Sequence, residues 1–339
     1  MFLSKFINSS NYTTSDYGLV STNADGIINA HGLSDVAYGE LVLIYSGFQS
    51  IFGMAFNLER DVAGIVVFGD SFKVVPGDMV FRSFSLISVP VGKALLGCVV
   101  DPLGFRLDTQ GAIKGQGFSF IEQTAPSIIS RAPVRQPLET GLKVVDSMVP
   151  IGHGQRELII GDMKTGKSSV ALDAIINQKG TDTLCVYVAI GQKMSSVARI
   201  WKMLTERGCM DYTVIVVASS SDPSALQFIA PYAGCAIGEF FMNNGLPVLC
   251  VYDDLSKHAV AYRQISLLLR RPPGREGYPG DVFFVHSRLL ERSAKLNNSV
   301  FFNSFAYYWN YSRWCFCVYS YKCYFYYRWS DFFRNWVIF

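Results

Sequence analysis

The 339-residue sequence has few of the residues that build metal centres and disulfide frameworks. Its four histidines lie far apart along the chain, and its eight cysteines include no C-x-x-C pair. This spacing predicts neither a zinc site nor a disulfide framework, and it favours a reducing compartment. The net charge of +3 is too small to indicate a nucleic acid or an anionic surface as a partner.

The N-terminal segment MFLSKFINSSNYTT lacks the apolar core of a secretory signal and the arginines of a typical transit peptide. Either the protein stays where it is made, or this start gives no information on location. Half of the residues are hydrophobic, which is enough for a buried core. The length suggests about two domains.

The clearest motif is a phosphate loop, G-x-x-x-x-G-K-[ST], which residues 161–168 match without a mismatch. An apolar run at 158–160 predicts a strand before it, and the residues after Ser168 predict a helix. In this arrangement backbone N–H groups and a helix N-terminus converge on an anion. The predicted phosphate-binding residues are Gly161, Asp162, Met163, Lys164, Thr165, Gly166, Lys167, Ser168 and Ser169.

Within this loop we expect Lys167 to reach the β- and γ-phosphates of a nucleoside triphosphate and the Ser168 hydroxyl to ligate Mg²⁺. A second metal ligand is predicted at Asp253, because four apolar residues lead into it and a carboxylate at a strand's C-terminal end can reach the same ion. The implied cofactors are ATP or ADP and Mg²⁺.

Two domains and a tail follow from the patterning. Six short apolar runs separated by turn signals predict an N-terminal β-barrel over residues 1–88, with a structural or assembly role. Apolar runs that alternate with helical patterns over 89–300 predict an α/β domain, a parallel sheet with helices on both faces. Residues 301–339 hold 20 of the 48 aromatic residues but a single acidic one, Asp331.

Several stretches resemble the alpha subunits of F-type ATP synthases over about residues 15–298. They are GQRELIIGD (154–162), YVAIGQK (187–193), YDDLSK (252–257), AVAYR (259–263), LLLRRPPGRE (267–276) and SRLLER (287–292). The resemblance implies a crown barrel followed by a RecA-like P-loop core. It also implies partners: beta subunits in an alternating alpha–beta hexamer, a central-stalk gamma subunit and a peripheral stalk, with membrane association only through the complex.

The resemblance also assigns a role to Gln192. In the family's catalytic beta subunit, a glutamate that polarises the attacking water stands at this place, after the glycine that corresponds to Gly191. An amide is no general base, and loss of a positioned base typically costs about 10²–10⁴ in rate. The resemblance therefore implies a regulatory subunit that binds Mg-ATP without turning it over, in a proton-gradient-driven synthase, and no catalytic residue.

The chain departs from the family at two places. Met163-Lys164 replaces the usual Arg-Gln, which leaves the loop cationic, so that binding should survive. After about residue 298 the similarity stops, and the trans-acting arginine, the adenine-pocket residues and the C-terminal helical domain have no counterpart. Four basic residues interrupt the tail too often for a clean membrane span.

The tail is better explained as the family's coding region read one base out of frame. Trp309, Trp314 and Trp336 fall where the family has Glu, Asp and Glu, since a codon beginning GA after a T becomes TGA. Trp329 falls at a family glycine. TGA read as tryptophan is characteristic of many mitochondrial codes, so we expect a mitochondrially encoded protein at the matrix face of the inner membrane.

Three other functions fit parts of the sequence. An active P-loop ATPase of a secretion or vacuolar-type motor shares the superfamily, but Gln192 and the YDDLSKHAVAYR run argue against it. A hexameric RNA helicase shares the domain order, but the small charge and the lack of an aromatic RNA-stacking motif argue against nucleic acid. A product without function, prone to aggregate through its aromatic tail, is the third.

Overall fold

A computed structural model describes residues 16–47, 49–108, 115–161, 165–296 and 300–309, and the chain divides into two compact units. Of the described residues, the first unit contains those up to Ile87 together with Asp222–Leu226 and Ala261–Pro279. The second unit contains those of Ser88–Ser221 and Gln227–Val260 and those from Gly280 onward. The first division lies next to the expected boundary between 88 and 89, but two later segments join the first unit.

The first unit is built around a barrel of six strands. They are β1 (Tyr17–Ala24), β2 (Ile27–His31), β3 (Glu40–Ser46), β4 (Gln49–Leu58), β5 (Val62–Val67) and β6 (Met79–Leu86). They pair antiparallel in the closed order β1-β2-β5-β4-β3-β6. Alternate apolar side chains fill the interior, among them Ile28, Ile44 and Ile65. The predicted barrel is confirmed.

The described part of the second unit contains ten further strands. They are β7 (Ser88–Val91), β8 (Val99–Val100), β9 (Gly117–Phe120), β10 (Pro137–Leu138), β11 (Ile151–Gly152), β12 (Arg156–Gly161), β13 (Leu184–Gln192), β14 (Thr213–Ser219), β15 (Val248–Asp253) and β16 (Phe302–Trp309). Six of them form one sheet in the order β12-β16-β15-β13-β14-β8, with every pairing parallel. The pairs β7-β9 and β10-β11 form small antiparallel sheets.

Helices connect the strands of the large sheet. The α-helices are α1 (Lys143–Met148), α2 (Lys167–Asn177), α3 (Met194–Glu206), α4 (Ser224–Asn243), α5 (Leu255–Leu268) and α6 (Val282–Leu290). Short 3₁₀ turns lie at Ser71–Lys73, Lys93–Leu95, Ile128–Ser130, Met210–Tyr212 and Arg275–Gly277. Neighbouring parallel strands must be joined by crossover connections of this kind. This is why apolar runs alternate with helical patterns along the sequence.

Both faces of the sheet are covered, as predicted. Alternate residues of β13 point to opposite faces. Tyr187 belongs to a core shared with Leu172 of α2 and Ile200 of α3. The next residue, Val188, meets α4, where a Cβ added to Gly234 would lie 2.3 Å from its side chain. A glycine at 234 therefore lets α4 approach the sheet closely.

Strand β16 lies inside the sheet, between the strand that leads into the phosphate loop and the strand that ends at Asp253. Asn303 of this strand has a fully buried side chain, which fixes the turn before β12. The N–H of Gly154 donates to Asn303 Oδ1 at 2.7 Å, and Asn303 Nδ2 donates to the Gly152 carbonyl at 2.9 Å. The described sheet thus continues past residue 300, the predicted end of the nucleotide-binding domain.

Helix α4 is long and apolar enough to cross a membrane by length and composition. However, 89% of its apolar window is buried inside the protein, as in a core helix of a soluble domain. The aromatic tail beyond Trp309 lies outside the described residues, and so do the tail tryptophans 314, 329 and 336.

Two histidines that are far apart in sequence meet in the core of the second unit. His258 on α5 and His286 on α6 are fully buried, and their Nδ1 and Nε2 atoms lie 2.9 Å apart. His258 Nε2 lies 3.0 Å from the Phe228 carbonyl, which only accepts, so Nε2 carries the proton and Nδ1 accepts from His286. The rings of Phe228 and Tyr232 pack on His258, and Arg288 lies over Tyr232.

This histidine pair predicts a loss of stability in mild acid. Burial lowers the pKa of His258 to about 4 and holds the pKa of His286 well below its usual value. Because the unfolded chain takes up these protons near pH 6.5, the stability that the pair contributes is full above that pH and falls as pH drops towards 4. His258 alone should reduce the free energy of unfolding by about 2 kcal/mol between pH 7 and pH 5.

Urea unfolding of the natural sequence and of the histidine variants at pH 7 and pH 5 isolates this contribution by subtraction, because Asp254, whose pKa is raised to about 7, acts in the opposite direction in all of them. The double variant His258→Gln/His286→Gln should lose most of it, whereas replacing the exposed His31 by glutamine should leave it in place. An equal difference in the double variant and the natural sequence would contradict the assignment.

Candidate functional site

The phosphate loop connects β12 to α2, as predicted. β12 ends at Gly161 and α2 begins at Lys167. Gly166 precedes the helix with φ of +92°, a left-handed conformation that favours glycine. Asp162, Met163 and Lys164 lie outside the described residues. Of the other predicted phosphate ligands, Thr165 and Ser169 are exposed, so the described part of the loop is open to a ligand.

Lys167 is buried, and its side chain turns back across the loop. Its Nζ donates a hydrogen bond to the carbonyl of Gly161, at the opposite end of the motif. Burying an ammonium group costs free energy unless anionic or polar partners surround it. A lysine held in this position is suited to a phosphate anion, the ligand that the motif predicts for it.

Ser168 and Asp253, the two predicted metal ligands, lie together. Ser168 Oγ donates to Asp253 Oδ2 at 2.8 Å, although the two residues are 85 positions apart. Asp253 ends β15 and is 5% exposed. Because the serine proton points at the carboxylate, the lone pairs of the hydroxyl oxygen stay available to a cation.

A third residue, which no sequence pattern predicted, joins this pair. The Tyr187 hydroxyl donates to the same oxygen, Asp253 Oδ2, at 2.6 Å. Tyr187 lies on β13, next to β15, and is fully buried. The available signal was a hydroxyl in the otherwise apolar strand LCVYVAI, because a buried hydroxyl needs a hydrogen-bond partner.

The second carboxylate, Asp254, begins the turn into α5. Its Oδ1 accepts the N–H of Lys257 at 2.7 Å, which satisfies an N–H of the first turn of that helix. Burial raises the pKa of Asp254 to about 7, and the charge of Asp253 adds to the rise, whereas the bond from Lys257 opposes it.

Gln192 ends β13 and turns towards Asp253. Its Nε2 donates to the main-chain carbonyl of Asp253 at 3.2 Å. A carboxylate has no proton to donate at neutral pH, so glutamate at this position is unable to make this bond. Gly191 before it has φ of +61°, and an added Cβ would lie 3.1 Å from Lys257, so the turn requires a residue without a side chain.

The described donor set fits Mg²⁺ rather than a metal held by the protein alone. No group of three or more His, Cys, Asp or Glu side chains suited to a metal occurs in the described part of the chain. Mg²⁺ is instead commonly held by one or two protein oxygens, with waters and substrate phosphates as its other ligands. Ser168 and Asp253 supply oxygen donors of that kind.

Two family models match the chain. One, described as the ATP synthase alpha/beta family, beta-barrel domain, covers residues 20–83. The other, the nucleotide-binding domain of the same family, covers residues 141–303 and so includes the whole site described above. The two matches together cover more than half of the chain. The chain belongs to the ATP synthase alpha/beta family.

Curated relatives within the ATP synthase alpha/beta family are named as alpha subunits, which confirms the resemblance found in the sequence. The chain is 57% identical over 285 residues to "ATP synthase subunit alpha" of Caldanaerobacter subterraneus subsp. tengcongensis, covering 84% of this chain and 56% of that protein. It is 56% identical over 280 residues to "ATP synthase subunit alpha 2" of Legionella pneumophila, covering 83% of this chain and 54% of that protein. It is 57% identical over 280 residues to "ATP synthase subunit alpha 1" of Nitrosomonas eutropha, again covering 83% of this chain and 54% of that protein.

These family matches cover only part of each relative. The chain spans about half the length of the curated relatives it matches. The nucleotide-binding match ends at residue 303, two residues into β16, close to where the sequence resemblance stops. The three relatives are bacterial, so they do not support the mitochondrial location expected from the tail tryptophans.

Proposed function

We propose that this chain is an alpha-type ATP synthase subunit that binds Mg-ATP or Mg-ADP and does not turn it over. The observation that carries this proposal is the position of Gln192, whose amide donates to the Asp253 carbonyl beside the two metal ligands. Since an amide has no basic site for the proton of an attacking water, this position supplies no general base.

The residues of the site divide into two roles. Lys167 and the backbone of the loop would bind the phosphates, and Ser168 and Asp253 would hold Mg²⁺ between them and the phosphate oxygens. Mg²⁺ bound there would neutralise phosphate charge and orient the chain of phosphates. Asp254 orders the start of α5 and lies one residue from this set.

Binding and phosphate release, measured on the full chain, test this proposal. We expect calorimetry to show Mg-ATP binding, while phosphate release stays at the level of a Lys167→Ala variant. Release above that level in the natural sequence, abolished by Lys167→Ala, would instead identify an active ATPase.

Gln192→Glu provides a second measurement. It exchanges the amide donor for a carboxylate close to the carboxylates of Asp253 and Asp254. Mg-ATP affinity should therefore fall by about threefold to tenfold, which is the equivalent of one ordinary hydrogen bond. The Gln178→Glu variant is the matched control, because Gln178 follows the end of α2 away from the phosphate loop and its Nε2 donates to the carbonyls of Glu139 and Ala174. Equal effects of both substitutions would contradict a role for Gln192 in the site.

Assembly with other subunits belongs to the same proposal. Partners would be beta subunits in an alternating hexamer, a central-stalk gamma subunit and a peripheral stalk, with contact to a membrane only through the complex. Exposed apolar side chains support a chain that buries more surface in a complex: Phe72, Ile128 and Ile129 are 91%, 89% and 90% exposed. Co-purification with a beta subunit tests it.

The mitochondrial origin is also part of the proposal, and it rests on the tryptophan codons. The DNA sequence should show TGA at Trp309, Trp314 and Trp336, with the family's sequence readable in the adjacent frame. TGG at these three positions would contradict both the frameshift and the mitochondrial code.

A further inference from the structure

Tyr187 carries a buried hydroxyl that the proposed chemistry does not use. Strand β13 is apolar from Leu184 to Ile190 apart from this group, and Tyr187 has no exposed surface. Phenylalanine would fill the same space without a polar atom to satisfy. A tyrosine here is therefore explained by its hydroxyl rather than by its ring.

The hydroxyl has a specific acceptor. Tyr187 Oη lies 2.6 Å from Asp253 Oδ2, and Ser168 Oγ lies 2.8 Å from the same atom. A carboxylate oxygen accepts both bonds, so the two protons point at one oxygen. Asp253 is thereby held between a donor on β13 and a donor on α2.

We propose that Tyr187 is a positioning residue for the magnesium site, fixing Asp253 so that its Oδ2 holds the Ser168 hydroxyl with the lone pairs free for the cation. This inference rests on the proposed function, since it concerns the metal of the same site. Tyr187 itself donates its proton to Asp253 and is not a metal ligand in this arrangement.

The geometry explains why such a residue is needed. An aspartate side chain rotates about two torsions, and Ser168 alone restrains it from one side. The bond from Tyr187, which lies on the adjacent strand of a buried sheet, adds a restraint from a rigid element. Removing residues that orient metal ligands typically lowers metal affinity about 10–100-fold.

The test is Tyr187→Phe in the full chain, with ATP affinity measured by calorimetry in Mg²⁺ and in EDTA. We expect affinity in Mg²⁺ to fall about tenfold, at the lower end of that range, and affinity in EDTA to stay unchanged. Tyr232→Phe is the matched control. Its hydroxyl is also buried and donates to the Val285 carbonyl at 2.8 Å, so it removes a similar bond away from Asp253 and should alter neither affinity.

Two outcomes overturn the inference: an equal loss of affinity in Mg²⁺ and in EDTA, which indicates a merely structural role, or no loss in either condition. Absence of nucleotide binding by the natural sequence overturns the proposed function instead. Tyr187 is then tested with Mn²⁺ alone, followed by electron paramagnetic resonance. Weaker Mn²⁺ binding by Tyr187→Phe than by Tyr232→Phe supports the positioning role, and equal binding overturns it.

Discussion

Replacing Arg292 by alanine should lower the free energy of unfolding by about 3–5 kcal/mol, because it leaves a buried carboxylate without its partner. Arg292 is 1% exposed, and its Nε and Nη2 donate to the two oxygens of Glu239 at 2.7 and 2.6 Å. Its Nη1 also donates to the Ile121 carbonyl at 2.8 Å. The pair thus joins the end of α6 to α4 and to the segment after β9.

Urea unfolding of three variants separates the causes. Arg292→Met/Glu239→Met removes both charges and should recover much of the loss, since no unpaired buried charge remains. Lys202→Ala removes an exposed ion pair on α3, 3.9 Å long, and should change stability by no more than about 0.5 kcal/mol. A loss below about 1 kcal/mol for Arg292→Ala would show that water reaches Glu239 in the folded protein.

Replacing Lys167 by alanine should reduce ATP affinity about tenfold to a hundredfold, the equivalent of one charge-assisted hydrogen bond. The buried ammonium already lies across the loop on the Gly161 carbonyl, so a phosphate would meet a donor that is in place. Calorimetry measures the affinity, and thermal unfolding without nucleotide shows whether the variant is folded.

Lys179→Ala is the matched control for that experiment. Lys179 follows the other end of α2, and its Nζ donates to the Arg207 carbonyl at 2.8 Å, away from the loop. Its removal should leave ATP affinity unchanged. Unchanged affinity in a folded Lys167→Ala variant would contradict the assignment of the phosphate site.

Local signals predicted much of this fold. Turn residues and alternating apolar residues marked the six barrel strands, and the phosphate-loop pattern located a strand, a glycine turn and a helix within a few residues. Asp253 was predicted as a metal ligand because a buried strand that ends in a carboxylate is also a local pattern, and the structure places it beside Ser168. In each case neighbouring residues carried the information.

Contacts between distant segments were out of reach of such signals. His258 and His286 appeared unrelated because 28 residues separate them, and α5 and α6 bring them together only in the fold. The contact of Tyr187 was not predicted, since its acceptor lies 66 residues later. β16 was not predicted, because the aromatic composition after residue 300 did not indicate a strand. Its partners in the sheet, β12 and β15, are distant from it in sequence.

The place of β16 has a consequence for how the molecule forms. β16 is the last described strand, yet it separates β12 from β15, which would otherwise be two unpaired edges about 10 Å apart. Domains generally fold as synthesis proceeds from the N-terminus, and parallel pairing of distant segments is slow. The sheet that carries the ends of β12 and β15 is therefore completed only when residues 302–309 have been made. The candidate nucleotide site, whose predicted ligands all precede residue 255, thus lies on a sheet that is completed by a strand contributing none of them.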